Sequence, residues 1–232
     1  MKSEPSITDR MRLLQFGDSV LPVGSFSFSN GLESAIQQNV VHDLATLREF
    51  VLTAVHQAAT GDGIALLEAH RAARESDRPR LVRADWAVNN RKLNEEMRTM
   101  TSRMGRKLGE MADYILHAPL AADWVRRIQL RETPGTFPVA LGLVFALLRQ
   151  PEDHAFAAHQ YGIATMMLSA ALRLMKLNYL DGQALLFEIN AGAEKEYDRA
   201  SAASLDDMAT FAPTADILAS IHLQSHVRIF MN

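Results

Sequence analysis

Apolar residues along the chain recur at steps of three and four, not two, so the periodicity predicts helices and no strands. The cleanest run is Leu93, Met97, Met100, Met104, Leu108, Met111 and Ile115, with steps of 4, 3, 4, 4, 3 and 4. That is one face of a long helix. Its methionines read as core filler, because flexible thioethers fit irregular gaps, in preference to a soft-metal surface. The opposite face carries Arg91, Lys92, Glu95, Glu96, Arg98, Arg103, Arg106 and Lys107 and reads as solvated or as a docking surface. Leu44, Leu47, Phe50, Val51 and Val55 form another apolar face behind an Asp43 cap, and a second short helix spans 64–74 with Asp62 as its cap. Pro119, Pro138 and Pro151 each stand near a helix start, where a missing amide hydrogen is harmless.

The stretch 155–172 has no formal charge and predicts a central buried helix, in which Ala158, Gly162 and Ala170 allow neighbours to approach closely. Asp181-Gly182 opens a run reaching about Arg199, with Asp181 as N-cap. A polar connection spans 200–212, and Pro213 precedes a last helix ending near Phe230. The expectation is therefore all-α: a single globular bundle of about ten helices over 1–232, with 1–10 and the last few residues flexible when unbound.

With 232 residues, 48% of them hydrophobic, the chain can bury a sizeable core. A net charge of -3 with both signs interspersed provides no basic footprint, so neither nucleic acid nor an acidic membrane is an expected partner. The absence of cysteine removes disulfides, thiolate nucleophiles and cysteine metal sites. The polar start MKSEPSITDRMR lacks the apolar core of a secretory signal, and the 155–172 stretch falls short of the ~20 apolar residues a spanning helix needs. A cytoplasmic location is expected.

Catalytic signatures are largely missing. There is no Walker A loop, His-Glu-x-x-His or Gly-x-Ser-x-Gly. Gly61-Asp62-Gly63 starts like a dinucleotide fingerprint, but Leu66 occupies the place of its third glycine. His222 and His226, four apart, put two imidazoles on one helix face and are weak metal candidates that Asp216 or a partner would have to complete. His154 and His159, five apart, are less promising.

Residues 21–33, LPVGSFSFSNGLE, are the most informative stretch. Pro22 fixes φ, Gly24 permits an angle other residues resist, Phe26 and Phe28 tuck inward, and the serines cap the helix beyond them. Segment 13–33 resembles the N-terminal signature of the UreF family of urease accessory proteins, which pairs a Leu-Pro-Val-Gly turn with a Gly-Leu-Glu helix start. RKLNEEMRTMTSRMGRKL is similar to that family's Arg- and Glu-rich helix, here ending at Met104-Gly105. Residues 137–186 resemble its paired central helices, with Arg173, Asp181, Gly182 and Gln183 in place, and 213–230 resembles its C-terminal signature. The tail departs from the pattern at Leu223 and His226, where the family usually has Glu and an aromatic.

The resemblance implies a non-catalytic all-α scaffold for nickel insertion. Family members dimerise, bind UreD (also called UreH), and recruit the GTPase UreG to pass nickel to apo-urease. No cofactor is expected to be held stably, and nickel would be in transit. Partner-binding or ion-path candidates are Pro22, Gly24, Phe26, Phe28, Gly31, Glu33, Arg173, Asp181, Gln183, His222, Arg228 and Phe230. Glu33 is placed facing a partner in the first turn of its helix, where negative charge is favoured. Arg173 is expected to be paired or at an interface, and Phe230 and Arg228 to order on binding. Two alternatives stay open: a metal-dependent all-α enzyme using His222 and His226, and a helical adaptor unrelated to urease.

Overall fold

The computed structural model describes residues 6–209, 217–218 and 229–230, and among them it is all-α with no strand. Over residues 6–209 eleven α-helices succeed one another: α1 Ile7–Gly17, α2 Leu32–Gln37, α3 Leu44–Ala58, α4 Ile64–Glu75, α5 Arg78–Arg91, α6 Glu95–Leu116, α7 Pro119–Gln129, α8 Phe137–Leu147, α9 Glu152–Leu174, α10 Tyr179–Asn190 and α11 Ala193–Ser201. Local chemistry sets the starts. Asp43 caps α3 through a reciprocal pair with Thr46, whose amide lies 2.8 Å from the Asp43 carboxylate. Asp77 and Asn94 cap α5 and α6, and Pro119 and Pro138 occupy first-turn positions of α7 and α8.

Three expected boundaries are corrected. Asp62 caps nothing: α3 runs into α4 through a π-helical segment, Ala59–Gly63, so one helical run spans Leu44–Glu75. A π turn holds one extra residue and swings its side chain out of register, and Asp62 instead meets Lys92 Nζ at 2.8 Å. Among the described residues this run is the one long and apolar enough to cross a membrane, and half of its most apolar window is buried in the fold. Asp181 is not a cap either. Asn178 is, accepting from the Leu180 amide at 3.0 Å, so α10 starts earlier and stops before Ala191-Gly192, leaving α11 as a separate helix.

The third correction concerns α6. Its apolar stripe is buried only at the centre, through Met100, Met104 and Leu108, whereas Leu93 precedes the helix and, like Ile115, is exposed. Arg91 and Lys92, read as part of its solvated face, end α5 and turn inward. Arg91 donates to the Met208 and Leu205 carbonyls at 3.2 and 3.1 Å, fastening the segment after α11.

Helix α8 is the centre of the packing. Every residue from Pro138 to Ala146 is buried, as its lack of a polar face requires. It packs on α4, α6 and α9. The approach is close enough that a Cβ on Gly142 would lie 2.4 Å from the Leu66 carbonyl oxygen, and one on Gly105 would lie 2.2 Å from that of Gly135. The α7–α8 connection is pinned by Asp85, whose carboxylate takes the Gly135 and Thr136 amides at 2.6 and 2.7 Å and the hydroxyls of Thr133 and Thr136. Burial pushes the Asp85 carboxyl up, and those four donors oppose the shift. A second apolar cluster joins α2, α3, α9 and α10 with Leu218 and Phe230. Helix α9 feeds both clusters, which is why its sequence shows no single apolar face.

Candidate functional site

The signature turn folds as its residues dictate. Gly24 and Gly31 take φ of +94° and +82°, with Asn30 between them at +54°, so three left-handed residues bend the chain within eight positions. Ser25–Ser27 make one 3-10 turn, and Val23 and Phe28 are buried while Pro22 is exposed. The Phe26 side chain lies outside the described residues. Gly31 is the N-cap of α2, and Ser29 Oγ accepts from the Glu33 amide at 3.3 Å.

Glu33 is the main surprise of this region. It does not face solvent: at 1% exposure its carboxylate is turned inward. Oε1 accepts from the Ile229 amide at 2.8 Å, and Oε2 from the Phe230 amide at 3.0 Å. One carboxylate thus clamps two consecutive peptide groups nearly two hundred residues away. The Phe230 ring is 4% exposed, packs in the second cluster, and lies under the Arg173 guanidinium at 4.3 Å. A cation over an aromatic face is attracted by the ring quadrupole. Glu33, Arg173 and Phe230, widely spaced along the chain, therefore form one anchor at the end of α9. Asp181 and Gln183 sit on the exposed side of α10 and form no part of it. His222, His226, Arg228 and Asp216 lie outside the described residues.

A second feature lies beneath the turn. A cavity of about 170 Å3 is bounded by α1, the turn, the π segment, α6, α8 and α9. Asp62, paired with Lys92, and His159 contribute to its wall. His159 is 2% exposed, its ring stacks with Phe137 at 6.5 Å between centroids, and Nδ1 makes no hydrogen bond among the described residues. Burial lowers its pKa to about 4, with the Asp62 charge raising it and Lys92 lowering it, so the imidazole is neutral at pH 7. Sequence reasoning passes over His159 when it seeks ligand spacing. The available signal is a lone histidine in the charge-free stretch 155–172. Among the described residues no group of three or more His, Asp or Glu stands close enough to hold a metal ion.

Comparison with known proteins agrees with the motif reading. The family model UreF matches residues 41–190. The chain is 57% identical over 227 residues to "Urease accessory protein UreF 2" of Brucella canis, covering 98% of this chain and 93% of that protein. "Urease accessory protein UreF 1" of Brucella melitensis is also 57% identical, with 98% and 94% covered. "Urease accessory protein UreF" of Yersinia pseudotuberculosis is 49% identical over 225 residues, 97% of this chain and 99% of that protein.

Proposed function

The chain belongs to the UreF family of urease accessory proteins, and from that premise we propose that it is a non-catalytic scaffold of urease maturation. It binds UreD, recruits the GTPase UreG, and so brings nickel to apo-urease. It acts in the cytoplasm as a homodimer and one folded domain. Nickel is cargo passing through that assembly and not a resident cofactor. Nucleotide hydrolysis belongs to UreG, which fits a chain with no phosphate-binding loop of its own.

The observation that carries this reading is the anchor of Glu33 and Arg173 on the tail at Ile229 and Phe230. Three segments of the family signature, the turn, the central helix and the C-terminus, meet there. Ile229 and Phe230, held by Glu33, are preorganised for contact, and preorganisation of that kind strengthens association by lowering the ordering cost. Pro22, Gly24, Phe28 and Gly31 belong to the turn that precedes Glu33, and Phe26, Asp181, Gln183, His222 and Arg228 are further candidates for partner contact. The test is a chain ending at Ser220, co-expressed with UreD. It should lose UreD co-purification while its helical circular dichroism signal stays within about a tenth of the full chain's. Undiminished co-purification would overturn the role given to the tail.

A further inference from the structure

The cavity beneath the turn is separate from the anchor of Glu33, Arg173 and Phe230, none of which lines it. Its wall is mainly apolar, through residues such as Phe16, Met100, Met104, Leu141 and Met166, with Asp62, Thr101, His159 and Thr165 at a polar end. The buried part of that polar end, Asp62 and His159, has no net charge. Asp62 is neutralised by Lys92 at 2.8 Å, and His159 is held unprotonated by burial. The threonine hydroxyls are engaged: Thr165 donates to the Tyr161 carbonyl at 2.8 Å, and Thr101 accepts from the Phe137 amide at 3.2 Å. Nδ1 of His159 has no partner among the described residues.

Gly162 gives an independent indication. A glycine inside a long helix is destabilising relative to alanine, and the usual compensation is close approach by a neighbour. The expectation that Gly162 serves helix packing is not met, because a Cβ built there meets nothing within 4 Å. Gly162 lies on the cavity wall, and the missing side chain leaves open volume there.

We propose that this cavity is a binding site for a small, uncharged, mainly apolar molecule, about the size of a benzene ring, that carries one hydrogen-bonding group. A void of about 150 Å3 with apolar walls admits benzene, so 170 Å3 suffices for a ring and one substituent. The apolar wall supplies the driving force, and the substituent meets the polar end around His159. An ion is disfavoured at the buried polar end, where it would lose its hydration shell without meeting an unpaired opposite charge; the other wall carboxylate, Asp18, is exposed to solvent. This inference is independent of the scaffold role, and a chain inactive in urease maturation would still show it.

The test is a titration of the full chain, methyl-labelled for NMR, with phenol and benzyl alcohol as probes and benzoate and benzylammonium as charged counterparts. Saturable shifts are expected at the Val23, Leu141 and Ile163 methyls, with the charged probes at least tenfold weaker. Gly162→Phe, which fills the space, should abolish those shifts, and Gly162→Ala should retain them. Absence of saturable shifts at these methyls, equal affinity for the charged probes, or unchanged binding by a folded Gly162→Phe would each overturn the proposal. If Gly162→Phe does not fold, the wild-type mapping and the charge series decide the matter.

Discussion

Acid should weaken this fold before its carboxylates titrate, and His159 is the reason. The group has an ordinary pKa of 6.5 when unfolded and about 4 in the fold, lowered by burial. The unfolded chain therefore binds the proton more readily, and stability falls as pH drops from about 6.5 toward 4. Linkage of those two values gives about 0.2 kcal/mol lost at pH 7 and about 2 kcal/mol at pH 5, so the step between them approaches 2 kcal/mol. His70, whose pKa is also lowered by burial, adds in the same direction, whereas the raised Asp85 carboxyl acts in the opposite one. Comparing wild type with His159→Leu cancels both. Leucine has a similar volume and removes the orphan Nδ1, so at pH 7 the variant should match or exceed wild type. Urea unfolding at pH 7, 6 and 5 should show wild type losing about 2 kcal/mol relative to the variant across that range, at a constant m value. Stability curves that run parallel from pH 7 to 5 would refute the argument.

The remaining predictions address the packing and the anchor. Gly105→Ala sets a Cβ 2.2 Å from the Gly135 carbonyl oxygen and 2.4 Å from the Thr136 carbonyl carbon; backbone cannot yield as a side-chain end does, so a loss of about 3 kcal/mol is expected in urea unfolding. Asp85→Asn turns an amide group toward some of the four donors now facing the carboxylate, and should lower stability by about 3 kcal/mol on the same assay. Glu33→Ala removes the acceptor of the Ile229 and Phe230 amides, so their protection against hydrogen exchange should fall at least tenfold while that of the α8 amides is unchanged.

Much of the fold was legible because helix periodicity and punctuation are local. Asp43, Pro119 and Pro138 stand where the chemistry of helix starts places them, and the apolar run of α8 could only be buried. The Ala59–Gly63 segment was not legible. Gly-Asp-Gly ordinarily breaks a helix, and long-range contacts hold those residues in a π turn: packing on α9 and α11, the Thr60–Ala209 hydrogen bonds and the Asp62–Lys92 pair. Asp181 misleads as a cap because Asn178 offers an equivalent oxygen three residues earlier.

The site was visible as motifs but not as geometry. Glu33 in a Gly-Leu-Glu step looks like a surface charge, and its burial depends on two amides supplied by the far end of the chain. The pairing of Arg173 was expected, while its partner, the Phe230 ring, was beyond sequence reasoning. His159 is set aside in the sequence because its spacing of five from His154 suits no shared ligand, although its surroundings set both its charge and that of the cavity's buried end.

A scaffold role in urease maturation that rests on the Glu33 anchor has a decisive readout in nickel-dependent urease activity. Cells supplying the urease subunits, UreD and UreG, but no UreF, would receive this chain or its Glu33→Ala variant. The wild-type chain should restore activity, and Glu33→Ala, though folded by circular dichroism, should restore at least tenfold less. Urease activity equal with and without the wild-type chain would contradict it.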